Sequence, residues 1–376
     1  MDIRKAKSQL FRNIVNIPGW STKRKLIVIE SDDWGSVRMP SLDVFNKLER
    51  NGLDLRSADA ERFNLNDTLA SKNDFEGLFD VLTSVKDKNN KNAVFTPVCI
   101  MANPNFEKIK EADYKAYFYE PFTETLKRNN GCEKSLESWK EGIEKDLFVP
   151  QLHGRDHLNV SDWLRDLNSG NVKTKLAFDE GLWGFVPDSF PKVDYQAAFL
   201  LNHKEDLEYH SQQIKEGIKL FEDILGYKAD YFVPPNGQFN NELNSVLFSS
   251  GIKFRSASKV QIEPIGNGEN RKVYHYHGQK HKSGITYMTR NCLFEPGQHG
   301  RDWVDSCLFD IKMAFRWKKP AIISTHRVNF VGGLSTENRD NGLKQLSELL
   351  SGIIKYWPDA EFITTAQLGK IMSASN

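Results

Sequence analysis

Two histidines four residues apart, His153 and His157 in FVPQLHGRDHLNV, are side chains that could hold a divalent metal. Imidazole is a neutral nitrogen ligand. If the chain turns helical after the apolar run 147–152, a spacing of four puts both rings on one face. The pair alone is nonspecific, because most histidines so spaced lie on surfaces or cap helices. A second group is acidic. In KLIVIESDDWGSVRMPS the apolar run Leu26–Ile29 ends directly in Glu30, Asp32 and Asp33. A strand running into a solvated turn would also use Asp and Gly there. A third stretch, AIISTHRVNF, ends its apolar run in His326, and a fourth, DYFVPPNGQFN, ends in Pro234, Pro235 and a glycine-containing turn. All nine histidines lie at position 153 or later, so a site built on the N-terminal acids recruits imidazoles only from there onward.

Groups this far apart need a frame that converges them. Short apolar runs read as strands at 26–30, 93–99, 147–152, 230–234, 252–257, 285–290, 321–325 and 361–365. Amphipathic helices lie between many of them, most clearly at 205–225, with Gly226 as its cap, and at 339–356, ended by Trp357-Pro358. Strands alternating with helices indicate an α/β chain with a parallel sheet, and this many strands suggest a closed or nearly closed barrel. In such a barrel all strand C-termini share one rim, which is where the four stretches place their polar groups.

A single domain over 1–376 is expected, with an N-terminal helix in 1–20 and inserts at about 51–75, 100–146 and 160–203. Leu10, Phe11, Ile14 and Val15 fall at helical spacing and read as a helix packed on the domain. Residues 160–203 have no clean period, and Trp183, Phe185 and Phe190 argue against disorder. This stretch reads as a loop over the rim, with a peripheral packing insert as the alternative.

Composition excludes several classes. The chain is 39% hydrophobic and 27% charged, an ordinary globular balance, and its net charge of +1 gives no field for nucleic acid or an anionic membrane. Cys99, Cys132, Cys292 and Cys307 form no CxxC pair, so neither a zinc ribbon nor a disulfide framework follows. No run approaches a membrane span, and the N-terminus lacks the apolar core of a signal peptide. A cytoplasmic protein with reduced thiols is the expectation.

The order strand-Asp-Asp-x-Gly, His-x-x-x-His, Pro-Pro-x-Gly and strand-His resembles the polysaccharide deacetylases of the NodB-homology type, which are carbohydrate esterases. The resemblance runs from about Leu26 to beyond His326. It implies a distorted (β/α)7-type barrel with inserted helices and a long loop over the rim. It also implies a metal-dependent hydrolase that removes an acetyl group from an N-acetylated sugar or polysaccharide. By position, Asp32 falls on the catalytic base and His326 on the general acid. Asp33, His153 and His157 fall on the metal ligands, and Pro235 with the backbone of Asn236 falls on the oxyanion and substrate turn. One Asp and two His suit Zn²⁺ first, and also Co²⁺, Ni²⁺ or Fe²⁺.

The sequence departs from the family pattern in places. Val233 stands where the family has an Arg that pairs with the base, Asn236 replaces an aromatic, and Gly154 replaces Ser or Thr. Arg327 follows the last His where many members are acidic. A replacement cation is expected from another strand, Arg255 before Arg327. Asp302-Trp303 loosely resembles a further motif, with a helix N-terminus as the alternative. Two other functions compete: a non-catalytic carbohydrate-binding protein, favoured by Val233, and a hydrolase of glycosidic bonds on a related barrel.

Overall fold

Nine consecutive buried residues, Leu26 to Trp34, need a strand covered on both faces. The computed structural model describes residues 3–57, 59–189 and 192–374, with residues 3–8 described by backbone alone. In it β1 (Lys25–Trp34) lies inside the sheet with all but Lys25 buried. Its neighbours are β2 (Phe95–Ile100) on one side and β12 (Ala321–His326) on the other. From β2 the sheet continues through β5 (Gln151–Gly154), β6 (Tyr231–Phe232), β7 (Phe254–Ser256) and β10 (Thr286–Met288). From β12 it continues to β11 (Cys292–Leu293). Every pairing in this order is parallel.

The two ends of the order nearly meet. Three residues separate β10 from β11, so one segment pairs first with β7 and then with β12. That crossing curls the sheet into a distorted barrel of the (β/α)7 type, the expected fold class. β13 (Ala360–Phe362) pairs with the start of β1. Along β1 the side chains of Leu26, Val28, Glu30 and Asp32 share one face. Leu26 and Val28 cluster with Tyr231, Val233, Phe254, Met288 and Ile322 inside the barrel. The alternate set, including Ile27, Ile29, Phe232, Tyr287 and Ile323, packs under the helices.

The helices Asp206–Leu225 and Thr336–Tyr356 lie where their apolar stripes placed them, and Gly226 caps the first at φ 78°. The strand expected at 147–152 is displaced to Gln151–Gly154. Phe148 makes only an isolated bridge to Phe95, and Pro150 cannot donate to a ladder. The run 361–365 stops at Phe362, because Thr365 begins the C-terminal helix. One hairpin went unread: β8 (Val260–Gly266) with β9 (Glu269–Tyr274). Its alternation is inverted, with Gln261 and Glu263 buried and Val260 and Ile262 exposed.

The inserts are more regular than their sequences. Residues 51–75 contain the helix Ala60–Asn66, and 100–146 contain the paired strands β3 (Ala102–Pro104) and β4 (Tyr119–Pro121) with three helices. Residues 160–203 open with helices Val160–Asn168 and Val172–Asp179, and then run without regular structure. Trp183, Phe185 and Tyr195 join Trp163 and Phe178 in a core of their own, while Phe190 lies outside the described residues. The N-terminal helix Ile3–Ile14 attaches through Arg12, which reaches Asp310 Oδ1 at 2.6 Å. Leu10, Phe11 and Ile14 remain exposed, so its apolar side is not the side that packs on the domain. The four cysteines are buried and unpaired, and no described helix is long and apolar enough to cross a membrane.

Candidate metal centre and catalytic cleft

Adjacent residues of a regular strand face opposite sides, yet Asp32 and Asp33 both line one cleft. A bulge makes this possible. Ser31 pairs with Pro97 and Trp34 with Cys99, so β1 carries one residue more than β2 between these points. Asp33 takes the strain, at φ 76°, in the left-handed region that non-glycine residues rarely adopt. A second bulge re-aims His153. Cys99 pairs with Leu152 but Ile100 pairs with Gly154.

His157 arrives by a different route from the expected helix. Residues 155–159 form a bend, and the next helix begins at Val160 with Asn159 as its cap. The bend is pinned by Arg155, whose guanidinium meets Asp156 at 2.6 Å, Glu216 at 2.5 Å and Tyr209 Oη at 2.9 Å. Helix Asp206–Leu225 backs onto it at Gly217, where a Cβ would stand 2.7 Å from Arg155 N.

The result is a compact donor set. Asp33 Oδ1 lies 3.4 Å from His153 Nε2 and 3.2 Å from His157 Nε2, and all three ligand atoms lie within 4.8 Å of one another. His153 Nδ1 donates to the Val233 carbonyl at 2.7 Å, which leaves Nε2 with a lone pair toward Asp33. A lone pair facing a carboxylate oxygen is repulsive unless a cation stands between them. The residues therefore fit a divalent metal with two nitrogen ligands and one oxygen ligand.

Asp32 and His326 come together by register. They are partners across β1 and β12, at the C-terminal end of both strands. Asp32 does have a cation partner, Arg290, which comes from the short segment between β10 and β11. Nη1 and Nη2 donate to the two carboxylate oxygens at 2.6 Å each. The same guanidinium gives Nε to Glu30 at 2.6 Å. Glu30 is fully buried and also accepts from Tyr231 Oη at 2.9 Å and Thr365 Oγ1 at 2.8 Å. Burial raises the Asp32 carboxyl, and Arg290 more than reverses that, so it lies below its ordinary value.

The two arginines expected at Asp32 lie elsewhere. Arg255 is on the outward face of β7, between the rings of Phe239 at 4.7 Å and Tyr287 at 4.9 Å, and bonds Asn241 Oδ1 at 2.9 Å. Its inward neighbours are Phe254 and Ser256, so strand alternation turns it from Asp32. Arg327 leaves β12 in a tight turn and is fully buried on Asp67 at 2.9 Å and on the Ser36 carbonyl at 2.7 Å. Asn236 and Pro234 line the cleft on a turn where Asn236 has φ 52°; Pro235 is buried and is not part of the lining. Asp302 caps the helix Trp303–Arg316 through Asp305 N at 2.9 Å, which is the helix-start alternative.

Glu295, absent from the sequence reading, holds His326. Its Oε1 is 2.6 Å from His326 Nδ1, and Oε2 accepts from Asn329 and Arg62. Burial lowers the His326 imidazole, but Glu295 outweighs it and raises the pKa to about 9. The cleft, about 570 Å³, is completed by the inserts: Phe63 from one, Val186, Asp194 and Gln196 from the other. The ring of Phe63 meets His326 edge-on at 5.4 Å.

No family model and no curated protein sequence matches the chain. Among solved structures, the chain is similar to a 4-alpha-glucanotransferase from Thermococcus litoralis (11% identity, 92% of this chain, TM-score 0.43), of which it spans 40%. It is also similar to the alpha-amylase AmyC from Thermotoga maritima (11%, 92% of this chain and 74% of that one, TM-score 0.46). A third likeness is the peptidoglycan deacetylase PdaC from Bacillus subtilis (11%, 94% and 93%, TM-score 0.34). These likenesses concern the fold alone and say nothing of activity.

Proposed function

We propose that the chain is a metal-dependent hydrolase that removes an acetyl group from an N-acetylated sugar. One observation carries this reading. The Asp33–His153–His157 donor set is flanked by a carboxylate and an imidazole, Asp32 and His326, in register on neighbouring strands above one cleft. Held by those three residues, a divalent ion supplies Lewis-acid polarisation of the acyl carbonyl and lowers the pKa of water. Asp32, kept ionised by Arg290, takes a proton from the attacking water. His326, kept protonated by Glu295, gives one to the departing amine. The Asn236 turn lines the same cleft, and this reading assigns its backbone N–H to the carbonyl oxygen.

The test starts with metal content. Protein purified without chelator is expected to hold one Zn²⁺ or similar ion per chain, and His153→Ala to lose it while keeping its circular dichroism. The same preparation is then given N-acetylated oligosaccharides. Acetate release that depends on metal supports the reading. Release of reducing ends instead indicates cleavage of glycosidic bonds. Binding without either product indicates a carbohydrate-binding protein.

A further inference from the structure

Arginines that are not exposed are expected to have carboxylate partners, because a desolvated guanidinium without one is costly. Arg12, Arg62, Arg155, Arg290, Arg327 and Arg339 all follow this rule. Among the described residues only Arg38 and Arg255 do not, and both line the catalytic cleft. Arg38 is half-buried over the ring of Phe63 at 5.1 Å. Its guanidinium bonds two neutral amide oxygens, Asn64 Oδ1 at 3.3 Å and Gln196 Oε1, and has no carboxylate within 4 Å. Arg255 is 1% exposed, bonds Asn241 and Gln261, and leaves its Nε without a partner.

The acids that share the cleft are committed elsewhere. Asp32 is held by Arg290, and Asp33 belongs to the metal donor set. Asp59 pairs with Arg62, and Asp194 accepts from the backbone and side chain of Gln196. Glu263, the acid behind Arg255, accepts from Arg271 at 2.8 Å and from Asn241 N at 2.9 Å.

We propose that the substrate is an acidic glycan, and that Arg38 binds an anionic group, carboxylate or phosphate, on or next to the N-acetylated sugar. Phe63 links the parts, since one ring touches both the Arg38 guanidinium and the His326 imidazole. An anion on Arg38 therefore lies beside the acyl group being cleaved. Arg255 is too enclosed to bond the anion and acts through its charge, which low-dielectric surroundings screen little. This inference names the substrate class for the site and rests on the deacetylase reading.

The experiment compares three probes on metal-loaded protein: an oligosaccharide alternating uronate with N-acetylhexosamine, N-acetylglucosamine 6-phosphate, and a neutral N-acetylglucosamine oligomer. Acetate release and calorimetric binding are both measured at low and high salt. The expected result is a preference of about tenfold or more for an acidic probe, the size of a charge-assisted contact. It should weaken as salt rises. Preference for the uronate or for the phosphate identifies which anion is bound. In Arg38→Gln the ratio of acidic to neutral kcat/KM should collapse toward one, and Arg38→Lys should restore part of it. Should the variants not fold, the salt dependence of the parent protein decides. Equal acetate release from neutral and acidic probes at every salt overturns this proposal and leaves the reaction standing. Arg38-dependent binding of an acidic probe without acetate release does the reverse.

Discussion

His326 is the residue whose chemistry depends most on one neighbour. Its raised pKa comes from Glu295, which outweighs the burial that would lower it. In its proposed role as proton donor the imidazole stays competent while it is protonated, so kcat/KM should persist above the ordinary imidazole range and fall on the alkaline side. Glu295→Gln removes the charge that favours imidazolium, so the alkaline limb should move to lower pH while metal content stays unchanged. An unmoved limb would show that another group sets it. Arg290 permits a second test. It forms two bonds to Asp32 and one to Glu30, so the proposed base and the guanidinium should act as a unit. Arg290→Met should lower turnover about as much as Asp32→Asn, by roughly 10²–10⁴-fold, and the double variant should cost little more. Independent, multiplying losses would separate the two. The need for a cation at Asp32 was legible from Val233, but its identity was misread. Arg290 ends the run ITYMTR, one of the expected strands, so the rule that singled out His326 also pointed to it. Arg255 was favoured because strand alternation was not applied to β7.

At the scale of elements, the position of His326, the proposed acid, depends on a contact between a turn and a helix. The turn Arg327–Asn329 packs under helix Thr336–Tyr356 at Gly342, where a Cβ would stand only 1.7 Å from the Asn329 carbonyl oxygen. Asn329 in turn donates to Glu295 at 2.9 Å. Gly342→Ala should therefore push the helix off the turn, destabilise the fold by about 1–3 kcal/mol, and disturb the Glu295–His326 pair. Thermal melts and the pH profile of the variant check both parts; a variant with parental melting and an unchanged profile would refute the coupling. Elements like these helices were legible because an apolar stripe at period 3.6 survives any packing partner. The barrel strands were legible for a related reason: buried on both faces, they are nearly continuous apolar runs. The bulges in β1 and β5 were not, since a bulge changes pairing without changing pattern. Hairpin β8–β9 failed for the opposite reason. Its polar face turns inward, Gln261 to Arg255 and Glu263 to the Asn241 amide, so hydrophobicity pointed the wrong way. The inserts 51–75 and 160–203 lacked a period because their side chains divide between a second core and the cleft.

For the molecule as a whole, buried histidines of two kinds set how stability depends on pH. Burial holds His210 at about 4 and His277 at about 3, both far below the unfolded value near 6.5. Neither touches the cleft lining, and each has a ring nitrogen without a partner. Below pH 6.5 the unfolded chain takes up protons that the folded chain refuses. Their contribution is therefore intact above about 6.5 and is lost as pH falls toward 4 and then 3, at about 1.4 kcal/mol per pH unit for each. His326 has the opposite sign. Its raised pKa stabilises the fold fully below about 6.5, and that stabilisation is lost as pH rises through about 9. The two slopes meet, so stability of the metal-free protein should peak near pH 6.5 and fall on both sides. Thermal melts from pH 5 to 9 in chelator measure this. His277→Gln replaces a titrating ring with a neutral amide and should reduce the acid slope alone, leaving the share of His210, whereas His326→Gln should flatten the alkaline side alone. A curve that rises steadily from pH 5 to 9, or an acid slope untouched by His277→Gln, would show that carboxylates rather than buried imidazoles govern the balance.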